Sequence, residues 1–102
     1  MTTYELSKDA EDDLREVARY TLDTWGRGQL TEYRQGLKET FKAIGLQDVI
    51  ARQFSKNYPQ LRVTKYRYHY IFYIAEGVTK PIIIGVIHER RDIVNQLVER
   101  LT

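Results

Sequence analysis

Leu61-Arg62-Val63-Thr64-Lys65-Tyr66-Arg67-Tyr68-His69-Tyr70-Ile71-Phe72-Tyr73-Ile74-Ala75 is the stretch whose reading decides the fold. It is rich in Val, Thr, Tyr, Ile and Phe, the β-branched and aromatic types that fit a pleated, half-buried surface, and it reads as two strands, Leu61 to Tyr66 and Arg67 to Ala75. Downstream, Ile82-Ile83-Ile84-Gly85-Val86-Ile87 is a third strand, reached through a connection from Glu76-Gly77 to Pro81 with hairpin punctuation. Its unbroken apolar run predicts a central position in the sheet. Upstream, periodicity fails from Leu46 to Gln60 and Asn57-Tyr58-Pro59 marks a turn, so that segment is expected to be a loop with at most one helical turn.

Further out the period changes from two to three and four. Ala10, Leu14, Val17, Ala18, Leu22 and Trp25 form one apolar stripe, with Ser7 suited to cap the helix and Asp9, Glu11, Asp12 and Asp13 near its positive end. Gly26-Arg27-Gly28 breaks the stripe, and Leu30, Tyr33, Leu37, Phe41 and Ile44 resume it up to Gly45. A link this short makes the two helices an antiparallel hairpin. Thr3 to Leu6 reads as a short opening strand, and Ile93, Val94, Leu97, Val98 and Leu101 mark an amphipathic last helix. The order β-α-α-β-β-β-α is α+β, a helix hairpin on one face of an antiparallel sheet. The other face would be concave, basic and aromatic unless the last helix or a partner covers it.

The 102 residues suit one domain. With no long apolar run and no basic, apolar leader at Met1-Thr2-Thr3-Tyr4, the expected location is the cytoplasm, without membrane contact. The absence of cysteine excludes disulfides and thiolate chemistry. Any metal would depend on His69, His88 and carboxylates, so no metal or cofactor is expected. The net charge of +2 is unevenly spread: residues 5 to 23 are mainly acidic, whereas Val49 to Ala75 has no carboxylate and carries Arg52, Lys56, Arg62, Lys65 and Arg67. Such a segment attracts nucleic-acid phosphate or an acidic protein, and charge alone does not separate the two.

Three motifs narrow the choice. Tyr20-Thr21-x-x-x-Trp25-Gly26-x-x-Gln29-x-x-x-Tyr33-x-x-x-Leu37 resembles the helix-hairpin signature of ParE toxins, in the RelE/ParE superfamily. His69-x-Ile71-Phe72-Tyr73 is similar to a middle strand of that family, and Val86-Ile87-His88-x-x-x-Asp92 to its final strand and turn. The resemblance implies a RelE/ParE-like fold and a type II toxin that inhibits DNA gyrase by non-catalytic binding. It also implies neutralisation by a cognate ParD-like antitoxin, with no direct sequence-specific contact to nucleic acid. The chain departs from the pattern before the histidine, where the family commonly has an Arg and a Gly-Ser and here Lys65-Tyr66-Arg67-Tyr68 stands.

The alternatives are a RelE-like ribosome-dependent mRNA endoribonuclease and an inactive relative that only binds antitoxin. The nuclease branch would place an Arg before the apolar-x-Tyr element, and Tyr70 occupies that place. A tyrosine hydroxyl does not replace the charged, bidentate fork of a guanidinium. No catalytic residue is therefore assigned, and the expected partner contacts are Arg62, Lys65, Arg67, His88, Arg90 and Arg91. His69 is expected to be structural and Asp92 to cap the last helix. Trp25 is expected to plug the core against the second helix. If Arg67 to Ala75 runs straight, Tyr66, Tyr68, Tyr70 and Phe72 share one face and Arg67 and His69 the other. The last helix either packs on its own sheet or leaves that place to an antitoxin segment.

Overall fold

The computed structural model describes residues 3–101. Its elements are β1 (Glu5–Leu6), α1 (Lys8–Trp25), α2 (Arg27–Gly45), β2 (Arg52–Ser55), β3 (Tyr58–Tyr66), β4 (His69–Ile74), β5 (Ile82–His88) and α3 (Ile93–Leu101). Ser7 starts α1 as its residue type suggests: its Oγ accepts the Ala10 N–H at 3.1 Å, satisfying an amide that the helix itself leaves free. Gly26 is the one residue between α1 and α2, and its φ of 90° lies where a side chain is disfavoured. The hairpin closes on that residue.

The sheet runs β1-β5-β4-β3-β2. Strands β2 to β5 pair antiparallel, but β1 lies parallel to β5 with Glu5 opposite Ile82 and Leu6 opposite Ile83. The sheet is thus mixed rather than wholly antiparallel. The helix hairpin and strands β2 to β4 lie between β1 and β5 in the chain, a connection long enough for the crossover that a parallel neighbour requires. The second correction is β2, which falls in the segment expected to be a loop. Arg52 and Gln53 are exposed and only Phe54 is large and apolar, so no alternation was there to detect; the strand exists because β3 offers it a ladder. β5 lies between β1 and β4 with Ile83 to Ile87 buried, which agrees with its apolar run.

Two apolar cores flank the sheet. On one face α1 and α2 bring Ala10, Val17, Tyr33, Leu37, Phe41 and Ile44 against Ile71, Tyr73, Ile83 and Val86. On the other, Leu97 of α3 packs with Leu61, Val63, Phe72, Ile84 and Ile87. Of the two expectations for α3, docking on its own sheet is the one observed. Asp92 caps it, its Oδ1 accepting the Asn95 N–H at 3.4 Å.

A two-residue turn, Arg67-Tyr68, separates β3 from β4, with Arg67 at a positive φ of 49°. The expected straight strand from Arg67 is therefore replaced by a hairpin, and the aromatic residues do not share a face. Tyr66 sits opposite His69 on the hairpin side and packs on Tyr33, at 5.1 Å between ring centroids. Gly36 leaves no room for a Cβ against the Tyr66 ring. Tyr70 and Phe72 belong to the α3 side, whereas Tyr68 projects from the turn, 60% exposed.

Because β1 is two residues long, the outer edge of β5 is unpaired by backbone beyond Ile83. Side chains complete it. Asp13 Oδ2 accepts the Val86 N–H at 2.9 Å, and Arg100 Nη1 donates to the Ile84 carbonyl at 3.0 Å. The two side chains are joined by bonds of 2.7 and 2.8 Å, a fork on a carboxylate. The register slips at this point, Phe72 facing Gly85 and Tyr73 facing Ile83, so Ile84 is the extra residue of a bulge. A Cβ on Gly85 would stand 2.8 Å from Arg100 Nη1, so the bare glycine admits the guanidinium. The edge is closed to a further strand by an ion pair linking α1 to α3.

Candidate functional site

The β3–β4 turn and the β5–α3 turn meet at one end of the sheet, tied by the Glu89 N–H donating to the Tyr68 carbonyl at 2.8 Å. Five of the six residues expected to contact partners gather there: Lys65, Arg67, His88, Arg90 and Arg91. Arg62 does not. It stands opposite Tyr73, toward the other end of β3, and pairs with Glu76 at 3.0 Å.

The basic character seen in the sequence is largely offset in space. Lys65 holds Glu89 at 2.7 Å, Arg67 holds Glu32 of α2 at 3.3 Å, and Arg91 approaches Glu16 of α1 at 3.8 Å. Arg90 belongs to none of these three pairs, and its charge acts on the Glu89 carboxyl. The hydrogen bond from Lys65 holds the Glu89 carboxyl below its ordinary range and raises the Lys65 ammonium in turn. These pairs are exposed, so they orient the turns more than they stabilise the fold. Lys65 also lies over the Tyr70 ring at 5.0 Å, and Arg67 over Tyr66 at 5.4 Å.

The two histidines differ. His69 is buried, its Nδ1 2.6 Å from the Tyr33 hydroxyl, which also reaches the Tyr66 carbonyl at 3.3 Å. Burial, helped by His88, pushes the His69 pKa down to about 4, and burial pushes the Tyr33 phenol up to about 12. Both are neutral near pH 7, a structural use of His69 that agrees with the expectation. His88 is half-buried at the end of β5, and its Nδ1 accepts the Arg90 N–H at 3.1 Å. Its ring stacks on Tyr68 at 6.5 Å and meets the His69 ring edge-on at 5.1 Å. Among the described residues, no three His, Asp or Glu side chains converge as a metal would require.

Beside His88 a cleft of about 470 Å³ opens between α1 and this end of the sheet, lined by Val17, Tyr20 and Trp25 on one side and Tyr68, Val86 and His88 on the other. Trp25 is 67% exposed and Tyr20 60%. The expectation of a core-plugging Trp25 is thus overturned. The buried line of α1 runs Ala10, Asp13, Val17, Thr21, so the helix overhangs the core in its last turn and the stripe drawn through Leu22 and Trp25 faces solvent. Sequence reasoning also missed Asp13, a carboxylate on the buried line. Its place between Ala10 and Val17 at helical spacing was the available signal.

A fold of this kind has known relatives. The model of the ParE toxin of the type II toxin-antitoxin system parDE matches residues 4–93. Toxin ParE of Escherichia coli is 31% identical over 101 residues, covering 99% of this chain and 98% of that one. The structure of the chromosomal ParDE TA system from P. aeruginosa superposes with a TM-score of 0.70 over 86% of this chain and 96% of that one, at 15% identity, a likeness of fold. With the hairpin, mixed sheet and C-terminal helix all in place and a family match along almost its whole length, the chain belongs to the ParE toxin family of type II toxin-antitoxin systems.

Proposed function

We propose that the protein inhibits DNA gyrase by non-catalytic binding in the cytoplasm and is neutralised by a cognate ParD-like antitoxin. Family membership supports the target class. The observation that supports the non-catalytic part is that His69 is buried against the Tyr33 hydroxyl and Lys65 is held by Glu89, which leaves His88 Nε2 without a paired acid or base among the described residues. General acid-base catalysis needs such groups within reach of substrate and able to change protonation. Exposed arginines are instead among the residues from which binding hot spots are made. Lys65, Arg67, His88, Arg90 and Arg91 at the sheet end are its proposed contacts, with Arg62 a peripheral one.

Purified toxin is expected to block supercoiling by gyrase while leaving ribosome-bound mRNA intact, and equimolar ParD-like antitoxin is expected to restore supercoiling. Replacing Arg90 and Arg91 by Ala together should raise the inhibitory concentration about tenfold or more. Cleavage of mRNA that disappears in a His88→Ala variant would establish the RelE-like reading in its place. An unaffected gyrase and an intact message together would point to a relative that only titrates antitoxin.

A further inference from the structure

The gyrase reading leaves the overhanging end of α1 without a role. Trp25 and Tyr20 stand exposed on one wall of the cleft and Tyr68, stacked on His88, on the other. Large aromatic side chains held in water around one cleft lose the burial that ordinarily favours them, and a planar ring entering the cleft restores it. The apolar floor of Val17, Val86 and Ile87 suits the flat body of such a ring, and about 470 Å³ lies within the range of sites for small organic ligands.

Charge selects the ligand further. Three carboxylates line the cleft, and each has a cation: Asp13 is held by Arg100, Glu16 faces Arg91, and Glu89 holds Lys65. Arg90, whose charge also acts on the Glu89 carboxylate, is positive and exposed at the rim. A ring with an attached anion fits this arrangement better than a cationic or purely apolar one. Stacking on aromatic faces with a cation tracking the backbone is how single strands are bound without regard to sequence.

We infer that the cleft between Trp25 and Tyr68 is a stacking site for an unpaired nucleobase, its strand's phosphate passing over Arg90. The site shares Arg90 and the His88 end of the sheet with the contacts proposed for gyrase, and it stands whether or not gyrase is the target. Because a base within a duplex offers no free face, a double strand does not enter.

Trp25 is the sole tryptophan of the chain, so its emission reports on the site directly. Titration of the full-length protein with a short oligo-dT at low salt is expected to quench that emission saturably. With an end-labelled oligo-dT read by anisotropy, Trp25→Ala and Tyr68→Ala should each weaken binding about tenfold, and Trp25→Phe should retain most of it. Arg90→Ala should reduce the salt dependence by about one counterion. A blunt duplex of equal length should compete poorly. Equal affinity for oligo-U supports a site that reads the base alone, and weaker affinity for it supports one that also contacts the sugar. Absence of quenching, equal binding of the duplex, or indifference to both Trp25→Ala and Tyr68→Ala would overturn the inference and make these aromatics protein contacts.

Discussion

The two faces of the sheet are held by different means. Under the helix hairpin the core includes polar side chains placed within it: Asp13 and Thr21 on α1 and His69 on β4 are all buried. Under α3 the buried residues are apolar throughout, Leu61, Val63, Phe72, Ile84, Ile87 and Leu97. Apolar packing is non-directional and tolerates repacking, whereas a buried hydrogen bond fixes one geometry and is costly to leave unmade. The hairpin face therefore carries the specificity of the fold, and the α3 face carries bulk burial. A largely buried ion pair joins them: Arg100 leaves α3 to meet Asp13 at the edge of β5.

Breaking that joint is the most direct test of the contrast. In Asp13→Ala the guanidinium of Arg100 loses its carboxylate, keeping the Ile84 carbonyl, and the Val86 N–H loses its acceptor, in a place where the pair's side chains are 14% and 11% exposed. Loss of one member of such a pair is expected to cost about 3–5 kcal/mol, mostly from the charge left behind. Replacing both residues, Asp13→Leu with Arg100→Met, should recover much of that loss. Urea unfolding of Asp13→Ala, Arg100→Met and the double variant measures this; a double variant no better than Asp13→Ala alone would mean that the edge, and not the stranded charge, is what matters.

Which parts of this were legible beforehand follows from the same contrast. The helix hairpin was readable because Ser7, Gly26 and the stripes of apolar residues act locally. β4 and β5 were readable because burial on both faces makes them apolar along their length. β2 was not, since its formation depends on a ladder offered by β3 and its own residues are half exposed. The site was legible only in part. Lys65, Arg67, His88, Arg90 and Arg91 were found by charge, but their carboxylate partners Glu32, Glu89 and Glu16 come from elsewhere in the chain, and charge counting along one segment does not see them. Trp25 was misplaced because a stripe shows which residues are in line and not where the core beneath a helix stops.

A second way to sharpen the comparison is acid, which should act on the hairpin face through His69. His69 has a folded pKa of about 4, lowered chiefly by burial, against about 6.5 for an unfolded chain. Between those values the unfolded state binds the extra proton, so stability is complete above about pH 6.5, declines as pH falls toward about 4, and declines no further on this account below it. The whole effect is roughly 3 kcal/mol. Urea midpoints followed from pH 7 to pH 4 should show that decline in the native protein and a flatter profile in His69→Gln. Parallel profiles for the two would mean that another group governs the acid response.

The smallest effect is expected from the position where the joint between the faces needs room. In Gly85→Ala the new methyl would meet Arg100 Nη1 at 2.8 Å, at the far end of a flexible side chain. Arg100 can withdraw, and in doing so it gives up the Ile84 carbonyl while one bond to Asp13 remains available. The expected cost is about 1 kcal/mol, in the lower range for adding a methyl to a packed site. Because the loss runs through Arg100, it should shrink when Gly85→Ala is made in an Arg100→Met background, as a double-mutant cycle measures. An undiminished loss in that background would place the strain in the bulge of β5 itself, and the glycine would then serve the backbone rather than the guanidinium.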